Sequence, residues 1–386
     1  MHAKPDNTYL IPNEPLDRFT PTNLDLLLQF CYERHASDIT IQTEEHITAE
    51  IYGVLYPTTR RRLTKNEVGT LLNHIYGPNG TTQLASGYDL DTYYEFRPTR
   101  IERYRFRVNA TACLVEGYEG IQITMRVIPT HPPELKDMLL PQEIMDNIDP
   151  DDGAVYITGS TGSGKSTLLA AIIRFIAEQE DSNRKILTYE SPIEFVYDDV
   201  NKPSCIISQS EIPRHLPSFA AGVRNALRRK PRLILVGETR DQETTNALLE
   251  ASLTGHPVYT TVHSNGVAET VRRLVNAFSE EERNSKSIDI IETMRMIVWQ
   301  RLVKTVDGKR MPLREYLVFN EAIRSKLLSV PVDRISQATR KIVKEQDHTM
   351  LDDAKRAFKD GKIDKAILTK IERYHQGQDH DMGVGS

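Results

Sequence analysis

The sequence predicts a two-domain α/β protein, in which a smaller α+β domain precedes a larger domain built on a parallel sheet. Three observations support this fold class. Short apolar runs alternate with helical segments after about residue 150, as in parallel sheets. A glycine-rich turn at residues 159–166 joins one of these runs to a helix. Before about residue 130 the pattern is instead one of alternating strands and two capped helices. The 386 residues suffice for two domains of ordinary size.

The first domain is expected to span residues 22–128, after a flexible lead at residues 1–21 that contains four prolines. Thr22 is predicted to cap a helix, with Asp25 three residues on. The segment from Thr64 has the spacing of a capping box and opens a second helix. Five strand-like segments complete the domain, at residues 36–41, 47–52, 89–96, 103–111 and 122–128.

Basic residues alternate along one predicted strand of this domain. Arg103, Arg105 and Arg107 therefore share one face of the strand, and Arg126 lies on the next strand. Two interpretations stay open. These arginines form a solvated basic face, or at least one of them binds a nucleotide in this subunit or in a neighbouring one.

A proline-rich stretch marks the junction between the domains. Adjacent prolines continue neither a helix nor a strand ladder, so residues 129–140 are predicted to form a semi-rigid linker. The second domain is expected at residues 141–371, with a helix at residues 288–299. Residues 372–386 lack apolar periodicity and are expected to be disordered.

The glycine-rich turn, Gly159–Ser166, fits the pattern G-x-x-x-x-G-K-[ST] of a phosphate-binding loop. Small residues let the backbone wrap closely, so that successive N–H groups face phosphate oxygens, and the helix N-terminus adds its positive dipole end. Lys165 is expected to contact the β- and γ-phosphates of ATP, and the Ser166 hydroxyl to ligate Mg²⁺. The predicted nucleotide-binding residues of this segment are Ser160, Thr161, Gly162, Ser163, Gly164, Lys165, Ser166 and Thr167.

Acidic and histidine side chains lie next to the later apolar strands. Glu190 and Glu194 follow the second strand of the domain, and Glu238 ends the third. Ligands bind at the carboxyl ends of parallel strands, and Glu238 fits a Walker B carboxylate that organises Mg²⁺ or the attacking water. His256 precedes the fourth strand and His263 follows it. A histidine at that carboxyl end can sense the γ-phosphate, and a purely structural histidine is the alternative.

Composition and charge limit the kinds of partner and the compartment that the sequence predicts. The net charge of −5 provides no overall attraction to nucleic acid or anionic lipid. No run of about 18 apolar residues predicts a membrane span. The three cysteines are scattered, which favours a reducing compartment. A basic cluster at residues 224–232 is interpreted as a solvated or subunit-facing helix end, because no aromatic stacking platform accompanies it.

The motifs resemble, in order and spacing, those of the secretion ATPases typified by the pilus retraction motor PilT. The segments similar to that family's Walker A, Asp box, Walker B and His box are Gly159–Ser166, Thr188–Phe195, Leu233–Asp241 and Thr254–Ser264. In the first domain, residues 36–39 and 105–109 look like the family's PAS-like module. Within the family, the resemblance is closest to the ATPases of type IVB secretion systems and their conjugation relatives.

The resemblance implies an architecture and a set of partners. The second domain would be a RecA-like motor, and ATP with Mg²⁺ would bind between the two domains of a subunit in a homohexameric ring. The enzyme would be cytoplasmic and recruited to the cytoplasmic face of the inner membrane. Its partners would be components of the secretion complex and other secretion ATPases, without stable binding of nucleic acid.

The resemblance also implies roles for individual residues. Glu190 and Glu238 are the carboxylates expected to position the water and Mg²⁺. His256 and His263 are expected to sense the state of the nucleotide. The charge that stabilises the transferring phosphoryl group is expected from one of three arginines of the first domain, namely Arg105, Arg107 or Arg126.

Two departures from the family pattern affect these expectations. Ser191 stands where the Asp box has its second acid, so Glu190 or Glu194 must take that role. The four-cysteine zinc insertion of type II secretion ATPases is missing, which argues against that branch.

The main hypothesis is a hexameric motor that hydrolyses ATP to power substrate export through a type IVB secretion system. A pilus retraction or assembly ATPase would use the same chemistry on a different load. A nucleic-acid translocase and a nucleotide-gated scaffold with little hydrolysis are the remaining alternatives.

Overall fold

The computed structural model describes residues 7–100, 102–129 and 131–380. The chain divides into two compact units, residues 1–130 and 131–386. Among the described residues, no helix has the length and apolar character needed to cross a membrane.

A six-stranded antiparallel sheet forms the centre of the first unit. Its strands are β1 (Ala36–Gln42), β2 (Thr48–Ile51), β3 (Val54–Pro57), β4 (Leu90–Phe96), β5 (Tyr104–Val115) and β6 (Tyr118–Ile128). Their order in the sheet is β3-β2-β1-β6-β5-β4. Three helices pack against the sheet around one hydrophobic core, namely α1 (Pro21–Glu33), α2 (Lys65–Tyr76) and α3 (Gly80–Ala85).

Helix α1 begins two residues before the predicted start. Thr20 is its N-cap, its hydroxyl accepts from the Asn23 N–H, and the Asn23 side chain accepts from the Thr20 N–H at 2.9 Å. The predicted pairing of Thr22 with Asp25 is therefore wrong. Proline at the first helical position, Pro21, suits this start because its missing N–H would have no helical partner anyway.

The lead is not a flexible segment over its described part. Leu10, Ile11 and Phe19 are buried, and Phe19 is fully enclosed in the core of the first unit. The N–H of Phe19 donates to Glu67 at 2.7 Å. Flexibility of the lead was predicted because this segment has four prolines and few apolar residues. Those few apolar residues, however, pack into the core of the first unit.

The capping box predicted at Thr64 is confirmed. The Thr64 hydroxyl accepts from the Glu67 N–H, and Glu67 in turn accepts from the Thr64 N–H at 2.9 Å. Burial alone would raise the pKa of Glu67, but hydrogen bonds from Arg61 and from the N–H groups of Phe19 and Thr64 lower it to about 2. One carboxylate therefore fixes both the start of α2 and the end of the lead.

A seven-stranded sheet forms the centre of the second unit. Its strands are β7 (Gly153–Thr158), β8 (Lys185–Glu190), β9 (Ile206–Glu211), β10 (Leu233–Val236), β11 (Pro257–Val262), β12 (Met294–Lys304) and β13 (Arg310–Val318). The order is β13-β12-β7-β11-β10-β8-β9, and every neighbouring pair is parallel except β12 with β13. Hydrophobic cores cover both faces, which explains why β7, β10 and β11 are buried along their whole length.

Ten helices surround this sheet in the described part of the second unit. They are α4 (Gln142–Asp146), α5 (Lys165–Glu178), α6 (Phe219–Leu227), α7 (Gln242–Leu253), α8 (Val267–Asn276), α9 (Arg283–Thr293), α10 (Glu321–Leu328), α11 (Ile335–Glu345), α12 (Met350–Lys359) and α13 (Lys365–His380). Asn320 caps α10 as predicted, since its side chain accepts from the Ile323 N–H.

The helix predicted at residues 288–299 is wrong in its second half. Helix α9 ends at Thr293, and β12 begins at Met294 between β7 and β13. Residues 296–299 are almost continuously apolar and buried. A strand that is buried on both faces has no alternating pattern, so such a run cannot be distinguished from a helix by periodicity.

The tail predicted to be disordered from residue 372 is helical through residue 380. Helix α13 continues past Ile371, which is buried, and the ring of Tyr374 lies 6.2 Å from that of Trp299. This packing on β12 supplies the stability that the local sequence lacks. The last six residues of the predicted tail lie outside the described residues.

Most of the predicted linker belongs to the second unit. Leu135 is buried in one of its two cores. Arg174 of α5 donates to the carbonyl oxygen of Pro132 at 2.8 Å, and Arg314 of β13 donates to that of Met138 at 2.7 Å. The prolines do interrupt regular structure here, but this segment is fastened to α5 and β13 of the second unit.

Candidate functional site

The predicted phosphate loop joins β7 to α5 in a backbone conformation that requires glycine. Gly159, Gly162 and Gly164 all have positive φ, at +147°, +75° and +83°. A Cβ at Gly159 would lie 2.4 Å from the Ser163 hydroxyl and 2.5 Å from the carbonyl oxygen of Gln300. The loop is therefore wrapped as tightly as a backbone cradle for phosphate requires.

Two buried polar residues of the neighbouring strands support this loop from behind. Gln300 of β12 donates to the carbonyl oxygen of Ser163 at 2.8 Å, and Arg314 of β13 donates to the Gln300 side chain at 3.4 Å. Both side chains are almost fully enclosed. Sequence reasoning missed them, because both strands contain further charged residues and nothing local marks these two as buried.

Lys165 lies at the first position of α5, with its ammonium group over the loop. The Nζ atom donates to the carbonyl oxygens of Gly159, at 3.0 Å, and Ser160, at 2.9 Å. Burial lowers the pKa of Lys165, whereas the charges of Glu238 and Glu194 raise it. The ammonium group thus contacts the loop, and the charges of two carboxylates that follow separate strands act on it.

Glu238 and His263 meet beside Lys165 because their strands, β10 and β11, are parallel neighbours. The Nε2 atom of His263 lies 3.6 Å from one Glu238 oxygen, and Arg240 lies 3.9 Å from the other. Burial lowers the pKa of His263, as do the charges of Lys165, Arg273 and Arg240, and Glu238 only partly opposes them. His263 is therefore neutral at pH 7 and able to donate one hydrogen bond and accept another.

Glu190 is held by its own strand and the neighbouring one. Thr188 and Gln209 donate to the same carboxylate oxygen of Glu190 at 2.6 Å and 3.0 Å. Glu194 is more exposed, and its charge acts on Lys165. The structure thus supports Glu194 as well as Glu190 as the acid that compensates for Ser191, and the alternative left open by the sequence remains.

His256 does not join the other predicted site residues within one subunit. It precedes β11, at the amino end of the sheet, where its Nδ1 atom lies 3.2 Å from the carbonyl oxygen of Ala251. His263 follows the same strand, which pairs with β7 from Pro257 to Val262. Six strand residues span about 20 Å, so the two histidines lie at opposite edges.

The three arginines proposed for phosphoryl transfer lie on β5 and β6 of the first unit. Each has an acidic partner in that unit, and the distances are 3.4 Å from Arg105 to Glu95, 2.9 Å from Arg107 to Asp91 and 2.8 Å from Arg126 to Asp38. Arg107 and Arg126 also lie directly opposite each other in the register of β5 and β6. Arg105 is buried, so the interpretation as a solvated basic face does not hold at that position.

The residues around Lys165 fit a magnesium nucleotide. Mg²⁺ is usually held by one or two protein oxygens together with phosphate oxygens and water. Ser166, on the first turn of α5, and Glu238 offer this set. No group of three or more His, Cys, Asp or Glu residues that could hold a metal ion occurs in the described part of the chain.

A buried carboxylate connects this site to the C-terminal helices. Glu315 of β13 accepts from the N–H of Val267, the first residue of α8, at 2.8 Å, and from the N–H of Met350. Burial raises the pKa of Glu315 to about 7, and the nearby charge of Glu269 adds to the rise. Since His263 lies four residues before α8, Glu315 helps to fix the segment that carries it.

This carboxylate leads to a pH-dependent prediction for the variant Glu315→Gln, which keeps an acceptor for the Val267 N–H. The folded protein holds the Glu315 proton up to about pH 7, whereas a glutamate in the unfolded chain has the ordinary pKa of 4.5. Between these values the unfolded chain binds fewer protons, so the wild type loses stability as the pH rises. We expect the variant to gain on the order of 3 kcal/mol relative to the wild type between pH 4.5 and pH 8.

Thermal unfolding of both proteins across this range measures the difference in the free energy of unfolding. A difference that does not change with pH would show that the carboxyl group keeps one protonation state throughout. Glu345→Gln, a change of an exposed glutamate on α11, is the control and should show no such trend.

Comparison with known proteins places these residues in context. Residues 17–340 match the sequence model of the family described as "Type II/IV secretion system protein". The crystal structure of the Legionella pneumophila ATPase DotB superposes with a TM-score of 0.85 and 60% sequence identity, covering 95% of this chain and 100% of that one. The pilus retraction motor PilT with bound ADP superposes with a TM-score of 0.77 and 28% identity, covering 89% of this chain and 95% of PilT. A twitching motility protein of Neisseria gonorrhoeae is 33% identical over 74% of this chain and 73% of its own length.

Proposed function

This chain belongs to the type II/IV secretion system protein family and is an ATPase, and we propose that it powers substrate export through a type IVB secretion system as a homohexameric motor. One observation carries the proposal. The phosphate loop, with Lys165 held between Glu238 and Glu194, occurs in a chain that is 60% identical to the ATPase DotB over that protein's whole length. Identity to PilT-type motors is lower, at 28% for the solved PilT structure.

In this proposal the chain binds ATP at the edge of the motor sheet. Backbone N–H groups of residues 160–167 face the phosphates, and Lys165 exchanges its contacts with the loop carbonyls for phosphate oxygens. Ser166 and Glu238 would hold Mg²⁺, with Glu190 as a further carboxylate, and the ion would neutralise charge that develops on the phosphate oxygens.

The chain's own side chains then prepare the hydrolytic water. Glu238 is the carboxylate that orients this water, because its charge acts on Lys165 and it lies 3.6 Å from His263. Neutral His263 donates a hydrogen bond toward the terminal phosphate, and loss of that contact after hydrolysis reports the change of state. His256 has no part in this step within one subunit, and we confine any role for it to a contact with a neighbouring subunit.

We also propose the finer architectural assignments. The second unit is a RecA-like motor and the first is a PAS-like domain. The boundary between them lies near residue 130, and the second domain includes most of the segment that the sequence predicted as a linker. Nucleotide-dependent movement between the two domains of each subunit would supply the work. The enzyme is cytoplasmic, and proteins of the inner-membrane secretion complex, including other secretion ATPases, recruit it there.

The alternative of a nucleic-acid translocase gains no support from the basic cluster at residues 224–232. Arg224 is paired with Glu243 at 3.0 Å, and Arg229 donates to Ser208 at 2.9 Å. These contacts give two residues of the cluster partners on α7 and β9 within the fold.

The purified full-length chain tests the proposal. We expect it to release phosphate from ATP in the presence of Mg²⁺ and to have the mass of a hexamer with nucleotide bound. In the host, deletion of the gene should abolish substrate export and leave pilus retraction intact. Retained export together with a loss of twitching would instead identify a pilus motor.

A further inference from the structure

The edge strand β9 contributes no residue to the four nucleotide motifs, yet it holds one of them in place. Strand β9 pairs with β8 at one end of the order of the second sheet. The residues that leave β8, namely residues 190–197 (the acidic loop), include Glu190 and Glu194. Two side chains of β9, those of Gln209 and Glu211, contact this loop. The contacts are specific enough to assign a role to the strand.

The side-chain amide of Gln209 has three partners, and all of them belong to the acidic loop. Its nitrogen donates to the Glu190 carboxylate at 3.0 Å and to the carbonyl oxygen of Phe195 at 2.8 Å. Its oxygen accepts from the N–H of Tyr197 at 3.3 Å. A glutamine amide has two N–H donors, so both are used within the loop. The partners also define the orientation of the amide, because a reversed amide would direct its oxygen at two acceptors.

Thr188 provides a second hydrogen bond to the same acid. It lies opposite Gln209 in the register of β8 and β9, and its hydroxyl donates to the same oxygen of Glu190 at 2.6 Å. Thr188 is fully buried, where a hydroxyl needs a partner within the protein. Two bonds from neighbouring strands therefore end on one oxygen and set the direction of the other.

The rest of the acidic loop is folded back over this anchor. The N–H of Ile193 donates to Glu211 at 3.3 Å. Burial raises the pKa of Tyr197, and the charge of Glu190 raises it further, so the end of the loop lies close to its start. Glu194, in contrast, is exposed. The two acids near Ser191 thus differ in how firmly they are held.

We propose that Thr188 and Gln209 are positioning residues for ATP hydrolysis, which hold the Glu190 carboxylate in the orientation that the reaction needs. This inference rests on the proposed function, because it requires Glu190 to act at the nucleotide. A charged group that is oriented in advance needs no reorganisation when the reaction occurs. The anchor also favours Glu190 over the exposed Glu194 as the acid that compensates for Ser191.

The experiment compares kcat and KM for ATP in the full-length chain and in the variants Thr188→Val and Gln209→Met. Both substitutions nearly keep the size of the side chain and remove the hydrogen bond to Glu190. We expect each to lower kcat about tenfold, the usual lower limit for loss of a group that orients a catalytic ligand. KM and the affinity for a non-hydrolysable ATP analogue should change by less than about threefold, because the phosphate loop and Lys165 remain.

The control is Gln142→Met, which removes another hydrogen bond from a glutamine amide to a carboxylate. Gln142 donates to Asp146 at 2.7 Å on the exposed side of α4. Its kcat should equal that of the wild type. This control shows that loss of such a bond has no general effect on turnover.

A third substitution, Glu190→Gln, tests whether the two residues act through this acid. In the Glu190→Gln background, Thr188→Val and Gln209→Met should each lower kcat by less than about twofold, because the carboxylate that they orient is already absent. Losses that multiply in the double variants would overturn the inference, since the two residues would then act on the fold alone. Wild-type turnover in Glu190→Gln would overturn it as well.

Hydrogen exchange in the nucleotide-free protein provides a readout that does not depend on activity. Gln209→Met should speed exchange in residues 190–198, because the N–H of Tyr197 loses its acceptor. Thr188→Val should leave this exchange unchanged, because the Thr188 hydroxyl contacts only the Glu190 side chain among the hydrogen bonds described. Equal increases in the two variants would contradict the inference, since the loss of rate would then follow from disorder of the loop.

Failure of this inference can be distinguished from failure of the proposed function. The inference fails if the wild type hydrolyses ATP and both single variants retain its kcat. The proposed function fails if the wild-type chain itself releases no phosphate from ATP in Mg²⁺. Because Thr188→Val replaces one β-branched side chain by another of the same shape within β8, it keeps the test available even if Gln209→Met does not fold.

Discussion

Lys165→Ala is expected to reduce ATP hydrolysis at least about a hundredfold, because a preorganised charge directed at the developing charge of phosphoryl transfer is removed. In the structure Lys165 lies over the loop and contacts the carbonyl oxygens of Gly159 and Ser160. Its removal leaves the backbone cradle intact, since the positive-φ glycines and the contact from Gln300 do not depend on it. Phosphate release from the purified chain measures the effect.

The control for this prediction is Lys309→Ala, which removes an exposed lysine from the turn before β13 and should hydrolyse ATP at the wild-type rate. Substrate export should be lost with Lys165→Ala and retained with the control. The thermal unfolding midpoint of both variants should stay close to that of the wild type. Turnover at the wild-type rate in Lys165→Ala would contradict the assignment of the loop to ATP hydrolysis.

Glu238→Gln is expected to separate binding from hydrolysis. The amide keeps the size of the side chain but loses the charge that acts on Lys165 and the carboxylate that faces His263 at 3.6 Å. We expect the rate of phosphate release to fall by about two orders of magnitude, the typical contribution of a positioned general base or water-orienting group. The affinity for ATP should change by less than about tenfold, because the loop and Lys165 remain.

Glu243→Gln provides the matched control for this second prediction. Glu243 lies on α7 in an exposed ion pair with Arg224, a type of contact that contributes little to stability. Its hydrolysis rate should equal that of the wild type. If Glu238→Gln lost nucleotide affinity in proportion to rate, Glu238 would be a binding residue only, and another carboxylate, such as Glu194, would have to orient the water.

The parts of the fold that were predicted correctly are those with a strong local signal. The phosphate-loop pattern, the capping box at Thr64 and the cap at Asn320 each depend on residues within a few positions of one another. The start of α1 was missed by two residues because two threonines in this segment, Thr20 and Thr22, are followed three residues later by a suitable partner. The partner of Thr22, Asp25, instead accepts a hydrogen bond from the Tyr94 hydroxyl on β4.

The incorrect predictions involve residues whose state depends on distant partners. The strand that begins at Met294 has a composition that fits either a helix or a strand buried on both faces. Only its position between β7 and β13 in the sheet distinguishes these two possibilities. The end of α13 lacks an apolar pattern of its own and depends on contact of Tyr374 with Trp299. His256 and His263 are seven positions apart in one motif, yet the strand between them carries them to opposite edges.

Within the candidate site, sequence motifs identified residues that the structure brings together, and they missed a residue that supports the loop. Glu238, His263 and Lys165 were found because each lies next to a recognisable strand or loop. Gln300 was missed because it lies far along the chain from the loop that it contacts.

The contact between Gln300 and the loop limits how far this enzyme can be shortened. A recombinant fragment that stopped before β12 would contain all four nucleotide motifs. It would lack both the Gln300 side chain that donates to the carbonyl oxygen of Ser163 and the Arg314 side chain that donates to Gln300. Grafting the loop onto another scaffold would meet the same obstacle. The minimal catalytic unit therefore extends at least through β13, about 150 residues beyond the lysine that defines the loop.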